Sequence, residues 1–347
     1  MTEYLIHVGP QKTGTKYLQS HFFNLRHELL NDGIYYPSEW WTSTNQIFHT
    51  RFLLELSDTD GSELRKTLQK INAHGYRRVL LSTEGLSELP LEKIALMKEA
   101  IGVPDIKIIY YLRQWSDRIP SDWQQDVSSG HYYDFPAYYL NLIQDPLHSL
   151  RINYCIALDK LAKVFGRENL VLISYSNLKR QNIDLFSHFA KSALGWEKPY
   201  SVEGKIYTNV STTPEVSEIT RCLNFLEFNR VGRITGNMRV RLFVLRAELK
   251  AEMDELLELM QKDILSINIS DSAPQFDCVY DLLMSYSDRI INLDPEFGAF
   301  ERRSKAQRAV ASNFLMREGV MPLLTKLHKH LVSREVEHPD LERSQAS

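Results

Sequence analysis

Short apolar runs alternate along the first half of the chain with longer segments in which apolar residues recur every three or four positions. The apolar runs predict four buried strands, at residues 4–8, 78–82, 106–112 and 170–174. The longer segments predict helices, among them residues 15–30, 117–127 and 153–165. Continuously apolar strands that alternate with helices are typical of a parallel sheet covered on both faces. We therefore predict an α/β fold, with three layers and a P-loop-like parallel sheet flanked by helices.

The pattern changes at about Pro214. Beyond it we recognise no strand, and heptad-like apolar positions in residues 238–267 and 310–331 predict helices. We expect an α/β core over residues 1–213 and a mainly helical C-terminal lobe over residues 214–347. No Pro/Gly-rich linker marks the boundary, so one continuous domain is the alternative. The polar residues after about 333 are expected to fray.

Composition narrows the class of protein. The 347 residues are 43% hydrophobic and 24% charged, and the net charge of -3 predicts no general attraction to nucleic acid or to an anionic membrane. Any anion site must therefore be local. The three cysteines form no CxxC pair, which favours a reducing compartment, and no apolar run approaches the ~20 residues that span a bilayer. We expect a cytoplasmic protein.

The strongest local signal follows the first predicted strand and opens the first long helix; it reads His7-Val8-Gly9-Pro10-Gln11-Lys12-Thr13-Gly14-Thr15-Lys16. A helix N-terminus collects unpaired N–H groups and about half a positive charge, so it favours anions. Gly14 allows close backbone approach, the threonines supply hydroxyls, and Lys12 and Lys16 add charge. An ordinary strand-to-helix turn is the alternative interpretation.

A nucleoside triphosphate is one candidate for the anion. The Walker A pattern requires G-x-x-x-x-G-K-[ST]. Gly9 and Gly14 have the right separation, but Thr15-Lys16-Tyr17 follows, so the hydroxyl that would hold Mg²⁺ is missing. Glu84, which follows the second strand, could imitate a Walker B acid. A P-loop kinase that uses ATP and Mg²⁺ is therefore the second hypothesis, and a non-catalytic nucleotide-binding scaffold is the third.

The loop and a second motif together resemble the sulfotransferases that use 3′-phosphoadenosine 5′-phosphosulfate (PAPS), and in particular bacterial carbohydrate-type members. The family loop reads approximately P-K-[ST]-G-T-T, against Gln11–Lys16 here, with Lys16 where many members have Thr. The second motif is a strand that ends in Arg, with Ser eight residues later: Arg113 and Ser121. The resemblance covers roughly residues 4–215 and includes Asn209-Val210-Ser211.

This resemblance implies a set of functional residues. Arg113 and Ser121 would bind the 3′-phosphate, for which a guanidinium fork is well suited. Lys12 would contact the bridging oxygen of the donor, and Tyr17 would lie against adenine, with core packing as its alternative. The donor-binding set is then Gln11, Lys12, Thr13, Gly14, Thr15, Lys16, Tyr17, Arg113 and Ser121. The resemblance further implies PAPS as donor, adenosine 3′,5′-bisphosphate as product, no metal, and a glycan or other hydroxyl compound as acceptor.

The general base has two candidates. Glu84 stands where small-molecule sulfotransferases place a histidine, and burial would raise its pKa towards neutrality. The alternative is that Glu84 caps a helix or holds the loop lysine. His49 lies between the first helix and the second strand, where substrate loops occur; a structural role is its alternative. His7 precedes the loop within a strand and is expected to pack or support the loop.

Two aromatic pairs are candidates for a sugar-binding surface. Trp40-Trp41 and Tyr132-Tyr133 could each stack against the apolar face of a pyranose. Aromatic pairs more often belong to the core or to an interface.

Overall fold

The computed structural model describes residues 2–41, 49, 52–53, 55–56, 60–198, 212–235 and 238–334. The segment Asn209-Val210-Ser211 lies outside these residues. The strands are β1 (Glu3–His7), β2 (Ile34–Tyr35), β3 (Arg78–Ser82), β4 (Ile106–Leu112), β5 (Leu170–Ser174), β6 (Ile264–Ser270) and β7 (Ser304–Val310). The helices are α1 (Thr15–Asn24), α2 (Arg26–Asn31), α3 (Ser62–Ala73), α4 (Leu91–Ile101), α5 (Trp115–Ser128), α6 (Phe135–Gln144), α7 (Cys155–Phe165), α8 (Tyr175–Arg180), α9 (Leu185–Ser192), α10 (Pro214–Val231), α11 (Met238–Val244), α12 (Lys250–Met260), α13 (Asp277–Met284) and α14 (Val320–Ser333).

The first five strands form one parallel sheet in the order β2-β3-β1-β4-β5. All five residues of β1 are buried, as expected for the central strand of a sheet covered on both faces. The sequence thus predicted the α/β fold class and four of the five strands correctly. Because β3 and β4 flank β1, the segments that follow them leave the sheet on either side of the segment that follows β1.

The chain divides into two compact units. The first comprises Met1–Gln114, Pro146–Asn209 and Ala273–Arg302, and therefore contains the parallel sheet. Its core lies between the sheet and helices α1 and α9, and its buried members include Leu18, Phe22, Ile109, Phe186 and Phe189.

The second unit comprises Trp115–Asp145, Val210–Ser272 and Arg303–Ser347. Helices α10, α12 and α14 supply much of its apolar core. The heptad-like pattern predicted helix at α12 and α14, but it did not extend to α10. The same unit holds the antiparallel pair β6–β7, which the apolar pattern did not predict. No helix in the described ranges of either unit is long and apolar enough to cross a membrane.

Candidate anion and base site

A tight loop joins β1 to α1 and places the helix N-terminus at the carboxyl edge of the sheet. Gly14 occupies the N-cap position with φ +83°, and Lys12 also has positive φ, at +65°. Glycine adopts this conformation without steric cost, whereas lysine does so rarely. The first turn of α1 contains no acidic residue, so the partial positive charge of the helix end is available to an anion.

Packing as well as backbone conformation favours glycine at position 14. A Cβ atom built there would lie 2.4 Å from Leu185 Cδ2 and 3.5 Å from Tyr175 Cε2. Leu185 begins α9 and Tyr175 directly follows β5, so two other segments of the first unit close against the loop. A side chain at position 14 would therefore require the Leu185 side chain to shift.

The two loop threonines have different roles. The Thr13 hydroxyl donates to the Pro10 carbonyl oxygen at 2.6 Å and so braces the loop from within. The Thr15 hydroxyl is buried at the first turn of α1, close enough to the Glu84 carboxyl to favour its charged form. Even so, its Oγ1 makes no hydrogen bond of acceptable geometry to any atom in the part of the chain that the structure describes. A buried hydroxyl without such a bond at a helix N-terminus fits the oxygen of an anion as its partner.

Arg113 joins the loop from the β4 side. It follows the last residue of β4, and its guanidinium donates to the main-chain carbonyl oxygen of Lys12. The Tyr154 hydroxyl holds the Arg113 backbone, accepting from its N–H at 3.2 Å and donating to its carbonyl. The guanidinium carbon also lies 5.8 Å from the ring centroid of Tyr175. These contacts fix a permanent positive charge beside the loop.

Glu84 joins the loop from the β3 side. A Cβ atom at Gly9 would lie 3.7 Å from Glu84 Cα and 3.8 Å from Glu84 Cγ, so the glutamate packs directly over the start of the loop. Burial raises the pKa of the Glu84 carboxyl, and Thr15, Lys16 and Lys12 partly oppose that shift. The carboxyl group is therefore close to both loop lysines, in surroundings that favour its protonated form.

His49 is completely buried, and both of its ring nitrogens are engaged. Its Nε2 lies 2.9 Å from the Pro37 carbonyl oxygen, and its Nδ1 accepts the Ser82 backbone N–H at 3.0 Å. Both bonds together require the neutral ring with its proton on Nε2. Burial lowers the pKa of His49 to about 4. In this arrangement the ring has no lone pair available for a substrate proton.

His7 is part of the same buried network. Its Nδ1 lies 2.8 Å from the Ser82 hydroxyl, and its ring packs edge-on against Tyr111 with centroids 5.4 Å apart. Burial lowers the pKa of His7 to about 3, so this ring too is neutral. Ser82 ends β3 two residues before Glu84, and Gln19 donates to its carbonyl oxygen at 3.2 Å. The network thus fixes the backbone from which Glu84 projects.

The structure brings Lys12, Thr15, Lys16, Glu84 and Arg113 together within the first unit. Gln11 and Lys16 are exposed, and Lys12 is partly buried. Tyr17 donates its hydroxyl proton to Asp184 at 2.6 Å, and its ring centroid lies 4.3 Å from that of His21. Ser121 lies in α5 of the second unit and is partly buried. Its pairing with Arg113 stays a prediction.

Some residues of the site were not identified from the sequence. Tyr175 could have been, because it follows β5 at the carboxyl edge where parallel sheets present ligands. Tyr154 and Ser82 carried no such signal: one begins a helical segment, and the other ends an apolar strand.

The two aromatic pairs have different surroundings. Trp40 is fully buried, donates to Glu55 at 3.0 Å and packs edge-on against Phe52, so it belongs to the core. Tyr133, in contrast, has 57% of its surface exposed.

No protein-family model matches the chain, and no curated protein matches it. Among solved structures, a similar chain is the sulfotransferase from Alicyclobacillus acidocaldarius. The two sequences are 18% identical, the comparison covers 69% of this chain and 99% of that chain, and the TM-score is 0.37. A likeness this distant carries no argument about activity, which must be inferred from the site itself.

Proposed function

We propose that the protein is a PAPS-dependent sulfotransferase that transfers a sulfuryl group to a hydroxyl of an acceptor, of which a glycan is the favoured class. The observation that carries the proposal is the arrangement of charge around the loop. Lys12, Lys16 and the N-terminus of α1 lie close to the Glu84 carboxyl group, whose pKa is raised. On the β4 side, Arg113 donates a hydrogen bond to the loop. A cationic anion site and an adjacent base are what sulfuryl transfer requires.

The donor-binding residues are chemically suited to the charged groups of PAPS. The N–H groups at the start of α1 and the Thr15 hydroxyl would bind the oxygens of the phosphosulfate. Arg113 would bind the 3′-phosphate, since a guanidinium offers a planar pair of donors to a phosphate dianion. Ser121 would add a hydrogen bond to that phosphate. PAPS would supply the sulfuryl group and, as the S–O bond to its phosphate breaks, a phosphate leaving group.

The chemical step needs two groups from the chain. A Glu84 carboxylate oxygen would take the proton of the acceptor hydroxyl as that oxygen attacks sulfur in line with the bridging oxygen. The Lys12 ammonium would stabilise the negative charge that develops on the bridging oxygen. A positioned cation at developing charge contributes several kcal/mol to catalysis, of the order of ~3 kcal/mol for one donor. The engaged nitrogens of His49 favour Glu84 over His49 as the base.

The kinase alternative is less well supported by the loop. In a Walker A loop a hydroxyl residue stands two positions after the second glycine and binds Mg²⁺. Here that position is Lys16, whose side chain is exposed at the start of α1. A lysine offers no oxygen to a metal ion.

Titration of nucleotides tests the proposed function. Adenosine 3′,5′-bisphosphate, adenosine 5′-phosphate and ATP are titrated calorimetrically against the whole chain, with EDTA and with Mg²⁺. We expect the bisphosphate to bind without metal about ten- to a hundredfold more tightly than the monophosphate, because one charge-assisted contact is worth about 1.5–3 kcal/mol.

Equal affinity for the two adenosine phosphates would rule out the sulfotransferase assignment. Binding of ATP that depends strictly on Mg²⁺ would favour the kinase. If the bisphosphate binds as expected but bound PAPS is never consumed with any hydroxyl acceptor, the result would favour a non-catalytic nucleotide-binding scaffold.

A further inference from the structure

The backbone of a short aromatic segment in the second unit, His131-Tyr132-Tyr133, is held by side chains from other parts of the chain. It lies between α5 and α6, and each of its three carbonyl oxygens accepts a hydrogen bond from the side chain of another residue. Asn224 donates to His131 at 3.0 Å, Arg221 to Tyr132 at 3.0 Å and Trp123 to Tyr133 at 2.9 Å.

The three donors are themselves rigid. Trp123, Asn224 and Arg221 are 3%, 4% and 6% exposed, respectively. Asn224 also donates to the Val127 carbonyl at 2.7 Å, and Arg221 is paired with the buried Glu218 at 2.6 Å. All three donors are buried, and Asn224 and Arg221 each hold a second partner, so the backbone of the segment is fixed before any ligand arrives.

The side chains of the segment form a ring stack in which Tyr133 is the most exposed member. Tyr133 is 57% exposed and lies against Tyr132 with ring centroids 5.3 Å apart and planes 28° apart. His131 lies 6.5 Å from Tyr133 with planes 30° apart. On the inner side, Tyr132 packs against Phe228 at 4.8 Å. The stack therefore packs on one side against the partly buried Phe228 of α10 and leaves more than half of the Tyr133 surface exposed.

We propose that Tyr133 and its stack form a binding site for a pyranose ring of a glycan. An exposed ring of fixed orientation matches the flat C–H face of a sugar, and the phenol hydroxyl can exchange hydrogen bonds with sugar hydroxyls. Tyrosine loses little conformational entropy on binding, and the anchored backbone lowers that cost further. The platform is one ring wide, far smaller than the roughly 800 Å² that each partner contributes to a stable protein interface.

This proposal names an acceptor class and in that respect rests on the proposed function, but it can be tested without the donor. The whole chain, free of nucleotide, is applied to a microarray of neutral and anionic oligosaccharides, beside Tyr133→Ala, Tyr133→Trp and Tyr76→Ala. Tyr76 is the matched control, because it also stands in a stack of tyrosine and histidine, with Tyr35 at 4.3 Å and His74 at 5.5 Å, but in the first unit.

We expect wild type, Tyr133→Trp and Tyr76→Ala to bind the same glycans. For the strongest of them, fluorescence titration should give Tyr133→Ala a dissociation constant about tenfold higher. Binding of no glycan on the array, or equal binding by Tyr133→Ala, overturns the proposal. Titration of adenosine 3′,5′-bisphosphate against Tyr133→Ala separates this proposal from the proposed function. If the variant loses glycan binding but keeps the wild-type dissociation constant for the nucleotide, the sugar site is supported independently of the chemistry of the first unit.

Discussion

The guanidinium of Arg113 donates a hydrogen bond to the main-chain carbonyl oxygen of Lys12, 101 residues earlier in the chain. The bond ties the end of β4 to the one loop residue other than glycine that has a positive φ. Arg113 therefore has two roles in the proposed enzyme: it carries charge for the 3′-phosphate and it holds the loop in shape.

Arg113→Ala should lower nucleotide affinity and, above all, discrimination. We expect the preference for adenosine 3′,5′-bisphosphate over adenosine 5′-phosphate to collapse from about ten- to a hundredfold to nearly none, because the charge-assisted contact is lost. Isothermal titration calorimetry measures both constants. Arg167→Ala, which removes another partly exposed arginine of the first unit that pairs with Asp288, should leave the preference intact. A variant at Arg113 that still discriminates as wild type would contradict the assignment.

Lys12→Ala should affect turnover more than binding. Its main interaction in the proposed mechanism is with charge that develops only in the transition state, so kcat should fall by about a hundredfold or more while the affinity for adenosine 3′,5′-bisphosphate changes little. Single-turnover transfer from PAPS and calorimetry give the two numbers. Lys66→Ala removes an exposed lysine of α3 as a control. Normal turnover in Lys12→Ala would show that the ammonium group is only a loop charge.

Glu84→Gln should reduce transfer by about a hundredfold while nucleotide affinity is kept. The carboxylate is the active form, and burial raises its pKa, so wild-type kcat/KM should fall on acidification through a pKa above the ordinary glutamate value of 4.5. The residual kcat/KM of Glu84→Gln should not show this fall on acidification. Glu88 is an exposed neighbour whose negative charge raises the pKa of Glu84, and it supplies the control. Glu88→Gln should stay active, and its kcat/KM should fall at a lower pH than that of the wild type because this charge is removed.

The same assay decides between the two candidate bases. If Glu84→Gln remains fast while His49→Gln loses transfer but keeps nucleotide binding, the role passes to His49. If both variants lose nucleotide binding, Glu84 is structural.

Gly14→Ala should weaken both stability and nucleotide binding. Gly75→Ala is a matched control, because Gly75 also has a positive φ, of +68°, but a Cβ there would meet nothing within 4 Å. Both substitutions carry the backbone cost of about 1–2 kcal/mol, and only Gly14→Ala must also displace Leu185. Urea unfolding should therefore show a larger loss for Gly14→Ala, partly restored when Leu185→Ala is added. Equal losses at the two glycines would mean that the packing around the loop adjusts freely.

The buried histidines should make the protein sensitive to acid. His49 and His7 have folded-state pKa values of about 4 and about 3, against 6.5 in the unfolded chain. Between those values the unfolded state binds more protons, so the free energy of unfolding should fall as pH drops below 6.5, by up to about 1.4 kcal/mol per pH unit for each ring. Urea unfolding at pH 5 and pH 7 measures the slope. His49→Gln should remove the part of this slope that the His49 ring contributes.

The parallel sheet could be predicted because its strands are buried on both faces, so each appears in the sequence as an unbroken apolar run. The missed strands lack that property. β2 has only two residues, and β7 reads Ser-Lys-Ala-Gln-Arg-Ala-Val, with several side chains exposed. The apolar residues of β6 are Ile264, Leu265, Ile267 and Ile269, and the last three alternate with polar residues as in a half-buried strand. This short alternation was missed because the heptad-like positions of residues 238–267 were assigned to a helix.

The predicted helix at residues 15–30 is two helices, with a bend at Leu25 between α1 and α2. The apolar positions Leu18, Phe22, Leu25 and Leu29 continue across the bend, so the periodicity does not reveal it. The Arg26 guanidinium donates to the Phe23 carbonyl oxygen at 2.7 Å just there, a contact that apolar spacing does not encode.

The site was only partly visible in the sequence for a related reason. The loop and Glu84 each follow a strand, so their arrival at one sheet edge could be inferred from the fold class. The link from Arg113 to Lys12 and the engagement of both nitrogens of His49 depend on side-chain directions that no spacing encodes.

The neutral histidines beneath the loop also determine which charges the anion site can use. With His7 and His49 uncharged at neutral pH, the positive side chains of the described part of the site are lysine and arginine. Donor capture from pH 6 to pH 8 then does not depend on charging of these two rings, whereas the rate of transfer would depend on the charge of Glu84. A change of pH in this range would thus act on such an enzyme through its base and through the 3′-phosphate of the donor, whose second pKa is about 6, and not through the buried histidines.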